Sequence, residues 1–539
     1  MISFQLFAPY SKRVELIGSW SDQPIPLHRD PKGYWRVELE LPDGRHGYKF
    51  RLPSLSPFML GEVVEIPDPQ ARLVDPQNGD AAVRVVREGR DVTTAPDYAW
   101  QHDDVPLPQD NELILYELHV GEFGFHQGTQ GTFHDLIGRL DYLRDLGVNA
   151  LELMPVAAFP MGRSWGYNVR HPFALENAYG SPEDFKRLVD ECHARGMRLI
   201  MDIVLNHTEV ENPLNKIDFY YWFRDPREGE PSFGPKFDYE RTDDRLGLRP
   251  AFTFGLEVVR YWVEEYHIDG YRLDATATLN NFEFVRAVRE TAKSHAGGKP
   301  FYIVAEHIPE DPSIAGPEAP ADGAWHQHFE VVAAKTLCEA EGWSAEELLK
   351  VLDPRNDGYI SPGRVVNYIE SHDEFTLMEK LGEASILGEK AARKNKLGAS
   401  LLFTAMGNPM LYQGQEFGGH RPREIRPLQW ELLRADYGLH LKEHYAFLAK
   451  LRQGSPALKG EEFEVLYLEE EQKMIAYRRG FGEAEVLVVA NLKDEDQALA
   501  IPFPEGAWRE LTFNYELETQ GGQLGDTFPA SSAKIYVHR

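Results

Sequence analysis

Asp269-Gly-Tyr-Arg-Leu-Asp274 follows a stretch, Phe254 to His267, in which apolar and aromatic residues recur at about 3.6-residue spacing. The pattern then switches to that of a short strand, and this handover marks a repeating parallel unit of strand and helix. Alternate side chains of a strand share a face, so Arg272 and Asp274 point one way and Leu273 the other. A cation beside a carboxylate in a cavity holds it ionised at neutral pH, the state a carboxylate nucleophile requires. Taken alone, the hexapeptide reads equally well as a structural Arg–Asp pair. Two further acids shift the balance: Glu306 follows the apolar run Phe301-Tyr-Ile-Val-Ala305, and Asp373 lies beyond Arg364-Val-Val-Asn-Tyr-Ile369. Three carboxylates, each just past a strand-like run, predict a shared catalytic rim.

Working outward, the same grammar recurs. Leu113–His119, Ala150–Val156 and Arg198–Val204 read as strands, separated by helices over Thr132–Leu146 and Ser181–Arg195. Ser181 is placed as a helix cap, with Glu183 and Asp184 in the first turn. The alternation continues through Asp269–Asp274, Phe301–Ala305, Val365–Ile369 and Pro409–Gln413, enough units for an eight-stranded barrel with its active mouth on the loops after the strands. A doubly wound sheet is the alternative; it would be very long and lacks a glycine-rich phosphate loop after the first strand. Residues 209–250, rich in Pro and Gly and holding Tyr220-Tyr-Trp-Phe223, read as an insertion with no long helix. Before residue 100 and after 457 the chain breaks into short alternating strands between turn residues. Three domains are therefore expected: a β-sandwich over 1–100, a barrel domain over 101–456 with an inserted loop region at 208–253, and a closing β-domain over 457–539.

Composition removes several function classes. A formal net charge of −29 argues against nucleic acid or an anionic membrane as partner, while neutral ligands stay open. Aromatic residues make up 12% of the chain, which suits stacking on flat ligand faces as well as core filling. No run of 18 apolar residues is present, so no transmembrane helix is expected. The amino terminus reads as a strand rather than a signal segment, which points to a cytoplasmic protein. Cys192 and Cys338 are too few for a disulfide framework and are expected as buried free thiols.

Met201-Asp-Ile-Val-Leu-Asn-His207, Gly270-Tyr-Arg-Leu-Asp274, Ala305-Glu306 and Glu370-Ser-His-Asp373 resemble, in order, the four signature regions of the α-amylase superfamily of glycoside hydrolases and transglycosidases. That resemblance implies a multidomain α/β protein: a central (β/α)8 barrel, an N-terminal immunoglobulin-like β-sandwich and a C-terminal β-sandwich. Phe4–Pro9, Val14–Gly18 and Gly47–Phe50 are similar to the N-terminal sandwich of glycogen branching enzymes, isoamylases and maltooligosyl trehalose trehalohydrolases. The family roles implied are Asp274 as nucleophile, Glu306 as general acid/base and Asp373 as transition-state stabiliser. Arg272 would orient Asp274, and His207 and His372 would bond hydroxyls of the sugar under attack. Tyr167, with Trp165 beside it, would stack on that ring, ordinary core packing being the alternative for both. His119 and Asp202 would support the pocket. A retaining mechanism needs two carboxyl groups about 5 Å apart, one ionised and one protonated, and no cofactor or metal is implied.

Glu370-Ser-His-Asp-Glu374 is most similar to branching enzymes, whereas Phe375-Thr-Leu377 resembles isoamylases. Met410–Gly418 and Pro427–Trp430 resemble both branching enzymes and trehalohydrolases, and the insertion after His207 is short for a branching enzyme. The expected function is thus 1,4-α-glucan branching, with α-1,4-glucan as partner. Hydrolysis of an α-glucan or maltooligosaccharide derivative is the alternative, and a catalytically silent glycan-binding scaffold the reading from another class. Tyr220–Phe223 would wall an acceptor groove or simply hold the inserted loop together.

Overall fold

The computed structural model describes residues 1–125, 128–160, 164–339, 343–420 and 423–539. Eight parallel strands close into a barrel in chain order: β1 (Leu115–Leu118), β2 (Ala150–Leu153), β3 (Arg198–Ile203), β4 (Gly270–Leu273), β5 (Tyr302–Ala305), β6 (Gly323–His326), β7 (Val365–Asn367) and β8 (Asn408–Tyr412). Every residue of these strands is buried, as expected where a parallel sheet is covered on both faces. The sheets outside the barrel are antiparallel: larger ones toward the two chain termini, and two short pairs between barrel strands, Ala157–Ala158 with His171–Leu175 and Phe223–Arg224 with Lys236–Phe237.

The sequence reading named seven of the eight strands. Gly323-Ala-Trp-His326 escaped it because four residues that include Gly and His, after a run rich in Pro and Ala, show no apolar alternation. The predicted helix over 132–146 is two short helices, Phe133–Ile137 and Leu140–Leu146. Gly138 ends the first, consistent with its poor helix propensity.

Register places the chemistry. Asp202 of β3 pairs directly with Arg272 of β4, and Leu273 pairs with Ala305 of β5. Asp274 and Glu306 therefore emerge level with each other, one residue past neighbouring strand ends. Gly270 permits this close fit, since a Cβ there would stand 2.5 Å from the Tyr302 carbonyl oxygen. Asp269, one residue earlier, accepts from Leu199 N and His193 Nε2, both at 2.9 Å, which ties the start of β4 to β3 and to the helix ahead of β3.

The chain divides into two compact units. The first comprises residues 1–106, 119–138 and 153–306. In its amino-terminal sheets, Gly44–Pro53 alternates strictly, with His46, Tyr48, Phe50 and Leu52 buried. The Trp20 ring covers Gly18, where any Cβ would come within 2.2 Å of the indole, and packs at 5.4 Å on Phe4. Trp20 is thus a packing residue of this sheet. Helix α1 (Pro182–His193) starts at a capping box: Ser181 Oγ accepts from Asp184 N, and Asp184 Oδ2 accepts from Ser181 N. Helix α3 (Pro250–Tyr266) leads into β4.

The insertion holds no long helix, as expected: α2 (Pro213–Trp222) is broken by an extended residue at Asp218. Tyr221, Trp222 and Phe223 are buried, Tyr221 holding Asp243 at 2.7 Å and Trp222 stacking edge-on against Phe254. These three rings are therefore packing residues rather than groove walls, Tyr221 and Trp222 against Phe7 of the amino-terminal sheet; Tyr220 alone of the four is exposed.

The second unit comprises residues 107–118, 139–152 and 307–539. Here α4 (Gln327–Leu337) follows β6, and α5 (Ala345–Leu352) precedes a 3-10 turn at Pro354–Asp357. A six-stranded and a two-stranded antiparallel sheet follow residue 463, around a core of Leu487, Val489, Trp508, Phe528 and Tyr536. Their strands include the antiparallel pairs Gln497–Pro502 with Gln523–Phe528 and Gly506–Glu510 with Tyr515–Thr519. Among the described residues no helix is long and apolar enough to cross a membrane. Both cysteines are free, but Cys338 is half-buried where burial was expected.

Candidate active site

In the first unit the polar residues at the strand ends converge on one guanidinium. Arg272, fully buried, donates through Nη1 to Asp202 Oδ2 and Asp274 Oδ1, both at 2.9 Å, and lies through Nη2 2.7 Å from Glu306 Oε2. Burial opposes its charge, but the surrounding carboxylates outweigh that and hold it protonated well beyond its usual range. Three carboxylates about one cation leave the cluster net negative. Such a field favours positive charge developing on a substrate in a low-dielectric site.

The nucleophile candidate is fixed from both sides. Asn206 donates from Nδ2 to Asp274 Oδ2 at 2.7 Å, and its Oδ1 accepts from His207 Nδ1 at 2.6 Å. Burial lowers the His207 pKa despite the attraction of Asp274, so the ring is neutral at pH 7 with its proton on Nδ1.

Glu306 is held by the backbone as well. The ladder continues past the strand end, Glu306 N donating to Leu273 O at 3.0 Å and Thr276 N to Glu306 O at 2.8 Å. Ala275 lies between them in the left-handed region at φ 43°, a conformation that costs a non-glycine residue about 1 kcal/mol. The turn aims Ala275 N at Glu306 Oε2, 2.7 Å away. A proton carried on Oε1 is compatible with both bonds to Oε2. Local strain thus sits where the geometry is most demanding.

Tyr167 joins the same network, donating to Asp202 Oδ2 at 2.6 Å with its ring 5.7 Å from the Arg272 guanidinium. Half-buried, it keeps surface for a ligand. Trp165 is also half-buried, and its Nε1 donates to Glu122 Oε1 at 3.4 Å. His119 bonds Tyr179 and the Ser164 carbonyl, a bracing role.

The second unit carries His372 and Asp373. His372 lies 2.5 Å from Glu117 Oε1 through Nδ1, and its backbone N donates to Glu117 Oε2 at 3.1 Å. The other ring nitrogen is 3.3 Å from Asp373 Oδ2, and Trp325 packs on the ring at 6.2 Å. Asp373 is the most accessible of the three acids and pairs with Arg423.

Four partners were missed. Glu117 had a signal, being a carboxylate inside an otherwise apolar strand. Asn206 lay inside a quoted signature region. Arg423 and Ala275 had none: one reaches its partner from 50 residues away, and the other acts through its backbone.

A family model described as Alpha amylase, catalytic domain matches residues 107–243 and 252–444, and one described as Maltogenic Amylase, C-terminal domain matches 463–535. The chain is 27% identical over 450 residues to the malto-oligosyltrehalose trehalohydrolase of Saccharolobus solfataricus, covering 78% of this chain and 74% of that one. It is 28% identical over 577 residues to the 1,4-alpha-glucan branching enzyme of Pseudomonas syringae pv. tomato, covering 97% and 75%. In fold it is similar to pullulanase type I from Bacillus subtilis, with a TM-score of 0.81 at 22% identity over 100% of this chain and 84% of that one.

Proposed function

Because the chain belongs to the α-amylase catalytic-domain family, we propose that it is a retaining enzyme that opens α-1,4-glucan bonds and transfers the released chain to a 6-hydroxyl, a branching enzyme. The observation that carries the chemistry is the single guanidinium of Arg272 shared by Asp274 and Glu306. It holds the two carboxyl groups side by side, the arrangement that retention requires.

Asp274 attacks the anomeric carbon and forms a glycosyl ester, while Glu306 gives its proton to the departing 4-oxygen. Glu306 then takes the proton of the incoming hydroxyl as the ester is resolved, which restores both groups. Asp373 stabilises the positive charge of the ring in both steps. His207 and His372 bond the sugar's hydroxyls, Tyr167 stacks on its face, and Trp165 lines the approach. The donor is an α-1,4-glucan such as amylose, glycogen or a maltooligosaccharide, and the reading places the enzyme with storage glucan in the cytoplasm. The sandwich and closing domains keep their boundaries near residues 100 and 457 as part of this proposal.

Transfer rather than hydrolysis rests on Glu370-Ser-His-Asp-Glu374 and on the branching-enzyme relative's alignment over 97% of the chain. Hydrolysis is favoured by two observations: the trehalohydrolase relative, and the burial of Tyr221, Trp222 and Phe223, which removes those rings as an acceptor platform. Water and a sugar hydroxyl compete for the same intermediate, so acceptor positioning decides the outcome. A time course on amylose separates the two. Branching raises α-1,6 linkages with few new reducing ends; reducing ends accumulating without α-1,6 linkages would establish hydrolysis.

A further inference from the structure

His326 closes β6 and His328 stands in the first turn of α4, while Asp357 ends the 3-10 turn after α5. Both rings aim one nitrogen at the same carboxylate oxygen: His326 Nε2 is 3.0 Å and His328 Nδ1 2.6 Å from Asp357 Oδ2. The outer nitrogens are engaged too. His328 Nε2 lies 2.7 Å from Glu347 Oε2, whose other oxygen is held by Lys350 at 2.7 Å. His326 Nδ1 lies 2.8 Å from Asn367 Oδ1, and the Asn367 amide is fixed because its Nδ2 donates to Met406 O at 2.7 Å.

Proton accounting makes this arrangement informative. All four ring nitrogens face oxygen acceptors; with the N–H of each neutral ring on its outer nitrogen, each inner nitrogen offers a lone pair. Two lone pairs and a carboxylate oxygen converging on one point repel unless two extra protons or one cation lies among them. An imidazole that donates its outer N–H to a carboxylate or amide oxygen while its inner nitrogen faces a shared centre has the hydrogen-bonding pattern of a metal-ligating histidine.

We propose that His326, His328 and Asp357 bind one divalent transition-metal ion of the zinc class. Two imidazoles and a carboxylate are borderline ligands suited to such an ion, with water completing the shell. Ligands of tetrahedral zinc at about 2.0 Å sit about 3.3 Å apart. The three donor atoms all lie within 4.8 Å of one another, so side-chain rotation suffices to bring them there. His326 is fully buried, whereas His328 is 25% and Asp357 18% exposed, which leaves an entry route from the α4 side. The ion would clip the end of β6 to the turn at 354–357. It would also stiffen Trp325, the neighbour of His326 whose ring packs on His372. This site is separate from the proposed catalytic groups and needs no step of their chemistry.

The test uses full-length protein stripped with a chelator, dialysed and titrated with zinc, followed by metal analysis and melting temperature. One equivalent should bind and raise the melting temperature, and cobalt in its place should give the visible absorption of a nitrogen- and oxygen-ligated tetrahedral site. His328→Gln and Asp357→Asn, at partly exposed positions, should melt like the stripped wild type while losing the metal-dependent rise. Glu347→Gln, removing an outer partner, should weaken zinc binding about 10-fold or more. No bound equivalent in the wild type, or unchanged affinity in both His328→Gln and Asp357→Asn, would overturn the proposal.

Discussion

Asn206 donates its side-chain amide to Asp274 at 2.7 Å, on the carboxylate oxygen opposite the one held by Arg272. Since His207 occupies the amide oxygen, Asn206 cannot flip without losing both bonds. The rotamer of the proposed nucleophile is thus set by its two neighbours before substrate arrives. A hydrogen bond to a charged group contributes about 1.5–3 kcal/mol, so Asn206→Ala should lower kcat by about 10- to 100-fold. Melting temperature should fall as well, because Asn206 is buried and both of its bonds are made in the free protein. Unaltered kcat on amylose would show that the amide does not position Asp274.

Glu306 offers a chemical test of its own. Glu306→Gln keeps the bonds to Ala275 N but has no proton to give. Activity on glucans should collapse, while a glucosyl fluoride, whose leaving group departs without protonation, should retain much more. Equal losses on both donors would mean that Glu306 does not act as the acid.

Tyr167 has two separable functions. Tyr167→Phe removes the bond to Asp202 and keeps the ring; Tyr167→Ala removes both. The alanine variant should lose far more kcat/KM than the phenylalanine variant, with a small stability cost because the ring is half-buried. A loss of about 3 to 5 kcal/mol in the alanine variant would instead mark a core aromatic.

How much of this was legible follows from where each signal resides. The three acids could be found because each stands directly after or close to an apolar run that the barrel buries, and Arg272 because strand parity puts it on the face of Asp274. Sequence could not show that Arg272 also reaches Glu306, since that depends on the register of β4 with β5. Strand β6 was hidden by its own composition, and with it the pair His326 and His328. Tyr220–Phe223 stayed open for a different reason: an aromatic run in a loop fits a ligand wall and a packed cluster equally well, and burial separates the two only after folding.

The anchoring of β4 has a pH signature. Burial disfavours charge on His193, yet its hydrogen bonds to Asp103 and Asp269 outweigh this and raise its pKa from 6.5 to about 9. A group raised on folding stabilises fully below its unfolded pKa and loses that contribution as pH climbs through the folded one. Stability should therefore fall between pH 6.5 and about 9. The linked contribution is up to about 3 kcal/mol. His193→Gln should flatten this part of a denaturation-versus-pH curve. An identical slope in the variant would assign the alkaline loss to other groups.

Covalent catalysis by Asp274 is tested most directly by trapping. A fluorinated α-glucosyl fluoride, which forms the ester faster than water or sugar can resolve it, is incubated with the enzyme and the digest is examined by mass spectrometry. One fluoroglucosyl group should appear on the peptide that contains Asp274, and none on the same peptide of Asp274→Asn. A label on another residue, or inverted product with no adduct at all, would contradict it.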